Sequence, residues 1–444
     1  MFCTLLLIVF TFVNAHENLD SYLYILKRNQ LKQNVDRILM NKTIEENIVG
    51  FYFDFLKNKE LKYENKYFYY PIESNIELIQ KNSSLYKFLR NMPKGANLHL
   101  QEFQELDRSK VLDLLSESLD YNNLYICDQI NSAYCKSTKY FMNYFRNKKS
   151  VPKGWTKLSE TKLTKQEIIE KTTLIGLLKG LKLSSYVEYF SEIRMNLTSD
   201  TKLSLIFKNV TEYKSTYFEY LKVLLDSALD ENVQILELRR QNFGTLWSYN
   251  ANGNKEYTPA FEELEELKKF KHEYIQKNPN FIDFSFIVVG QRSLPDFEID
   301  SVVESSIRYN KRYPDLVSGF DLVQEDDDTK QSLLNHRESL IKAQSYGKNE
   351  SNDSFQLYVH ESDKNLDDNK PIYHTKNDDT ITENIYDAII LQINRLGNGL
   401  GYIKHPRLYE ILIKNDIAIE LSVVNNQLLG YTPDIRNHPG NIKH

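Results

Sequence analysis

The chain has 444 residues, 41% hydrophobic and 26% charged, enough apolar material for one large core or two smaller ones, which excludes a disordered chain. Its formal net charge is -5, and this balance excludes wholesale binding to nucleic acid, whose phosphates require a basic face. Any polyanion site is local.

Residues 1-15, MFCTLLLIVFTFVNA, form an apolar stretch that closes on Val13-Asn14-Ala15, the pattern of a signal peptide cleaved after Ala15. The run is shorter than the ~20 apolar residues that span a bilayer. No later stretch is long and apolar enough, so secretion without a membrane span is expected. Cys3 leaves with the signal, and the mature chain keeps Cys127 and Cys135. An even pair in an oxidising compartment predicts one small disulfide loop, the alternative being two unrelated thiols. Asn-x-Ser/Thr sequons begin at Asn41, Asn82, Asn196, Asn209, Asn349 and Asn352, and a secreted protein presents such residues at its surface for glycosylation.

Residues 16-88 carry Leu, Ile, Tyr and Lys at helical spacing and predict a small helical unit. Met92-Pro93-Lys94-Gly95 then makes a turn into a strand over Ala96 to Leu100. Between about 120 and 182 the periodicity is lost. This segment holds both mature cysteines and a basic run of Arg146, Lys148, Lys149, Lys153, Lys157, Lys162 and Lys165 against one acid, Glu160. It reads as an inserted subdomain whose basic run is a solvated face or a polyanion site.

Beyond it, apolar runs over Val233-Leu238, Phe284-Val289, Val317-Val323, Gln356-His360 and Ile417-Val424 alternate with helical stretches such as Tyr217-Leu229 and Phe261-Gln276. Nearly all-apolar strands alternating with helices predict a parallel α/β sheet covered on both faces, and the length favours a (β/α) barrel spanning 89-444. In a barrel, chemistry sits at the carboxyl ends of the strands. His99 lies there with Gln101 and Glu102 beside it, and His360 with Glu361, Ser362 and Asp363. Asn398 lies in the turn Arg395-Leu396-Gly397-Asn398-Gly399. Two histidines on barrel strands can share a metal or be buried and satisfied by hydrogen bonds. Spacing alone does not choose.

Met92 to Leu100, Ser318 to Val323, His360, Arg395 to Gly399, Lys404-His405-Pro406, Asn426-Gln427-Leu428 and Arg436-Asn437-His438-Pro439 occur in that order. Together they resemble the adenosine deaminase-related growth factors, the secreted branch of the adenosine deaminases. The resemblance covers nearly the whole mature chain. It implies a (β/α)8-type metallo-hydrolase barrel with an N-terminal helical dimerisation unit, a homodimer, and an insertion that binds a receptor or glycosaminoglycan. It also implies zinc-assisted hydrolysis of adenosine to inosine, in which the metal lowers the pKa of a bound water.

The family's His-x-His reads His99-Leu100-Gln101 here, and an amide is a poor zinc donor. The third ligand matches His360. The fourth, an aspartate on strand eight, is placed beyond His444, so the expected barrel lacks strand eight, as a truncated product or a decayed barrel. The proton-shuttling glutamate is matched by the shorter Asp363, and the histidine that orients the hydroxide by Asn398, which is no acid or base near neutral pH. The substrate pocket is altered at Glu102 and Gln324. The expectation is a secreted binding or growth-factor-like protein with impaired or absent catalysis and weak or absent zinc. The alternative is a residual zinc-dependent adenosine deaminase.

Overall fold

The computed structural model describes residues 43-61, 79-102, 108-127, 142-172, 208-323, 332-349, 354-360, 384-397, 406-423, 426 and 438. The chain divides into two compact units, Met1-Glu64 and Asn65-His444. In the first, a helix over Ile44-Leu61 starts at a reciprocal cap. Glu46 N donates to Thr43 Oγ1 at 3.1 Å and Thr43 N donates to Glu46 Oε2 at 2.7 Å, so two end N-H groups are satisfied at once.

Among the described residues, the main sheet of the second unit has seven strands: β1 (Gly95-Gln101), β2 (Val233-Arg240), β3 (Asp283-Gln291), β4 (Val317-Val323), β5 (Gln356-His360), β6 (Arg395-Gly397) and β7 (Ala418-Glu420). Each pairs in parallel with the next, which gives a nearly closed parallel barrel with β1 and β7 outermost. Helices follow the strands: α1 (Lys214-Asp230) enters β2, and α2 (Ala260-Lys277), α3 (Asp296-Arg312), α4 (Arg337-Asn349), α5 (Asn384-Ile390) and α6 (Pro406-Lys414) fill the later crossovers.

The sequence explains these elements. Five consecutive residues of β3, Phe286 to Gly290, are buried, as required of a strand covered on both faces. On α3, Ile299, Val303, Ser306 and Asn310 recur at helical spacing and are buried, while Pro295 precedes its first turn, where a missing N-H costs nothing. Gly319 exists for a close approach: a Cβ there would lie 2.1 Å from Gln356 O on the neighbouring strand.

The turn before β1 is clamped by Lys94. Its ammonium donates to the carbonyls of Arg90 (2.9 Å), Met92 (3.2 Å) and Glu231 (2.6 Å), closing the end of the helix over Ser84-Arg90 and the end of α1 together. Cations are favourable at helix carboxyl ends. Between β1 and β2 in sequence lies an antiparallel sheet of three short strands, Leu124-Cys127, Met142-Tyr144 and Trp155-Lys157. It docks through aromatic rings. Tyr144 and Tyr213 lie 4.4 Å apart, Tyr213 and Trp247 4.9 Å, and the Tyr144 and Tyr213 hydroxyls bond Thr216 and Asp120.

The signal stretch 1-15, Asn41, Cys135, Asn196, Gln324, Asn352, Asp363 and Asn398 lie outside the described residues. Cys127 is fully buried and Asn82 is exposed. Asn349 ends α4. Asn209 differs from Asn82. It is buried, with Nδ2 donating to Asn143 Oδ1 at 2.5 Å, and a glycan must be attached through that nitrogen at the surface.

Candidate functional site

Side chains alternate along a strand, so His99 on β1, Arg239 on β2, Asp321 on β4, His360 on β5 and Glu420 on β7 all reach the barrel's inner face. Arg239 is the hub. Its Nε donates to Asp321 Oδ2 at 2.6 Å, its Nη2 to Glu420 Oε2 at 2.7 Å and its Nη1 to Leu98 O at 2.9 Å. Each carboxylate in turn takes a histidine. His99 Nδ1 donates to Glu420 Oε2 at 2.5 Å, and His360 Nδ1 lies 3.0 Å from Asp321 Oδ2. One layer below, Arg395 bonds Glu237, approaches Glu420 Oε1 at 3.0 Å and lies 4.4 Å over the Tyr358 ring.

With both Nδ1 atoms turned to acceptors, the two Nε2 atoms face each other at 3.4 Å. In neutral rings both of those nitrogens carry lone pairs, so the edge between them is electron-rich and suits a cation. His360 is fixed from two more sides. The Arg292 guanidinium donates to its carbonyl, and Gly397, its register partner on β6, leaves room for the ring: a Cβ there would meet His360 Nδ1 at 2.7 Å.

The pair fits part of a metal site. Nitrogens bound to zinc at about 2.0-2.1 Å in a tetrahedron stand about 3.4 Å apart, and a histidine ligand ordinarily carries a carboxylate on its other nitrogen. Three or four protein donors are needed, however. Among the described residues no group of three or more His, Cys, Asp or Glu could hold a metal ion. Asp321 and Glu420 are engaged by Arg239 and the imidazoles, and Gln101, half-buried on the same face of β1 as His99, offers an amide. The described residues therefore do not fit a complete zinc centre.

Glu102 is set apart from the two imidazoles. It follows Gln101 on the opposite face of the chain and is buried outside the barrel's inner layer, where Oε1 accepts from the Tyr217 hydroxyl at 2.5 Å and Arg240 Nη1 at 2.6 Å. Its carbonyl accepts from the Tyr220 hydroxyl at 2.6 Å. The structure thus brings His99 and His360 together and sends Glu102 elsewhere. Two motif residues near the end of the chain also meet, Asn426 Nδ2 donating to His438 Nε2 at 3.0 Å.

Electrostatics follow the contacts. Burial pushes the His99 imidazole below its usual value, with the Glu420 hydrogen bond opposing and His360 and Arg239 reinforcing that shift. Burial alone would raise Asp321 and Glu420. The charges of His360 and Arg239 on Asp321, and the His99 hydrogen bond with Arg239 on Glu420, hold both below the usual carboxylate range. Burial raises Glu102. In the folded state His99 stays neutral where the unfolded chain's imidazole is already protonated, so its contribution to stability is lost as pH falls below about 6.5. Asp321 and Glu420 lose theirs below about 4, as pH falls through their folded values. Glu102 has the opposite sign, losing its contribution as pH rises through its raised value. Urea unfolding from pH 7.5 to 5 isolates His99: the stability of the wild type relative to His99→Gln is expected to fall on acidification, and a constant difference would refute the assignment.

No family model matches the chain. It is 26% identical over 417 residues to an adenosine deaminase of Phlebotomus duboscqi, covering 90% of this chain and 72% of that protein. It is 26% identical over 436 residues to adenosine deaminase 2 of Dictyostelium discoideum, covering 93% and 71%, and 24% identical over 369 residues to human adenosine deaminase 2, covering 81% and 65%. Similar solved structures include an Arabidopsis N6-mAMP deaminase (TM-score 0.43, 13% identity, 79% of this chain and 78% of that one) and a zinc-bound amidohydrolase from Burkholderia ambifaria (TM-score 0.42, 13% identity, 79% and 71%).

Proposed function

We propose that this homologue of the adenosine deaminases and adenosine deaminase 2 is a secreted, glycosylated protein with impaired or absent catalysis that acts as an extracellular binding or growth-factor-like protein. The observation that carries the reading is the two-donor centre. His99 and His360 present one edge of a metal site, Gln101 stands where a further imidazole is wanted, and the nearby carboxylates belong to Arg239. Lost donors compound in metal affinity, so zinc binding in this chain is weak or absent. Asp363 and Asn398 are the weakened matches to the proton shuttle and the hydroxide-orienting histidine, and Gln324 alters the pocket.

In this reading a Cys127-Cys135 disulfide closes the start of the insertion. The exposed Arg146, Lys148, Lys149 and Lys153 give a receptor or glycosaminoglycan its contact, and the N-terminal helices pair two copies. Among the described residues no helix is long and apolar enough to cross a membrane.

A second reading, residual zinc-dependent conversion of adenosine, is favoured by the 3.4 Å Nε2-Nε2 spacing. Ultraviolet absorbance of the adenosine-to-inosine conversion separates the two, using the secreted glycosylated chain with added zinc and a metal-free control. The expected result is no zinc-dependent rate above background from folded protein. A zinc-dependent rate establishes the second reading and requires a further ligand.

A further inference from the structure

We propose that Arg239 is the positioning residue for His99: its guanidinium supplies the restraint that a bulge in β1 gives up, and so sets the height of the His99 imidazole against His360. The register of β1 on β2 runs Asn97 with Leu236, then Leu100 with Leu238. Three steps on β1 match two on β2, and the surplus falls at Leu98-His99. A bulge leaves its residues out of the hydrogen-bonded ladder and re-aims a side chain. The strand is also an outermost one, paired only with β2 among the described residues, and its first four residues are exposed. Ladder bonds therefore do not fix the residue that completes the imidazole pair.

Arg239 takes over at that point. One arm of its fork binds the bulged carbonyl, Leu98 O, and another binds Glu420, which holds His99 Nδ1. Its Nε binds Asp321, which holds His360. A single rigid, fully buried group thus ties the bulge to both histidines. The next residue, Arg240, points to the other face and anchors β1 through Glu102, beyond the bulge, where the ladder has resumed with Glu102 N donating to Arg239 O. Adjacent arginines hold one edge strand from opposite faces, and only the inner one reaches the imidazoles.

The test does not depend on whether adenosine is turned over. Acylation of imidazole nitrogen by diethyl pyrocarbonate at neutral pH, read peptide by peptide by mass spectrometry, reports the freedom of each ring, with exposed His272 on α2 as internal reference. Arg239→Lys keeps the charge but cannot serve three acceptors at fork geometry. Loss of a charge-assisted hydrogen bond is worth roughly a factor of ten or more, so His99 labelling in Arg239→Lys is expected to rise at least about tenfold. The rise at His360 should be smaller, because Arg292 and the close fit at Gly397 still hold it. Arg240→Lys is expected to leave His99 unchanged. An equal rise in both variants, or none in Arg239→Lys, overturns the proposal. If Arg239→Lys does not fold, Glu420→Gln decides: unchanged His99 labelling there also overturns it.

Discussion

Arg240→Met is expected to lower the free energy of unfolding by about 3-5 kcal/mol, the cost of leaving a buried ionic partner uncompensated. Arg240 is fully buried. It donates through Nη1 to Glu102 at 2.6 Å, through Nη2 to Glu263 at 2.5 Å and to Thr245 Oγ1 at 3.1 Å, and through Nε to Asn242 O at 3.0 Å. Its guanidinium carbon lies 4.8 Å from the centre of the Tyr217 ring and 5.2 Å from that of Phe243. Methionine fills much of the volume but leaves two carboxylates in an apolar layer. Because the penalty comes from the stranded charges, Arg240→Met combined with Glu102→Gln and Glu263→Gln is expected to recover part of the loss. Urea unfolding of the single and triple variants measures both. A single variant within about 1 kcal/mol of wild type would show the cluster to be a weak contributor, since a typical surface change costs less than that.

Gly319→Ala is expected to cost about 3 kcal/mol, the upper part of the range for overpacking, because the obstacle is backbone. The added carbon would lie 2.1 Å from Gln356 O and 2.9 Å from the Tyr358 ring, so β4 and β5 must separate at the register Gly319 with Gln356. Asp321 and His360 sit at the carboxyl ends of those two strands, and their contact should loosen with the pairing. Gly290→Ala is the matched control. Its nearest atoms belong to the Phe320 and Ile299 side chains at 3.0-3.2 Å, which can shift, so its cost is expected to be smaller. Thermal unfolding of the two variants orders them, and a Gly319→Ala protein as stable as Gly290→Ala would contradict the close approach.

The strands were the most legible part of the sequence. The apolar runs expected over 317-323 and 356-360 coincide with β4 and β5, and those over 233-238 and 284-289 fall short by two residues or fewer at each end. The two carboxyl ends were missed for one reason: the polar residues Arg239, Arg240 and Gln291 stay in the ladder after hydrophobicity stops. His99 and His360 could be picked out as polar residues ending apolar runs. The groups that organise them could not be assigned in the same way. Asp321 is the one charge inside the largely apolar strand Val317-Val323, a signal that it must be paired, but the partner's identity depends on how strands fold together. Glu102 shows the converse. The family resemblance implied a pocket role for it, and strand alternation carries its side chain away from His99 and toward Arg240.

The five groups of the inner network come from positions 99, 239, 321, 360 and 420, and the bond between His99 and Glu420 closes a span of 321 residues. Contacts between distant parts of a chain form only after the intervening loops have been closed. Arg239, Asp321, His360 and Glu420 all come from the carboxyl-terminal half, and His99 alone joins them from the other half. The imidazole pair therefore depends on the two outermost strands being brought within bonding distance, and its geometry reports that β1 and β7 have come together.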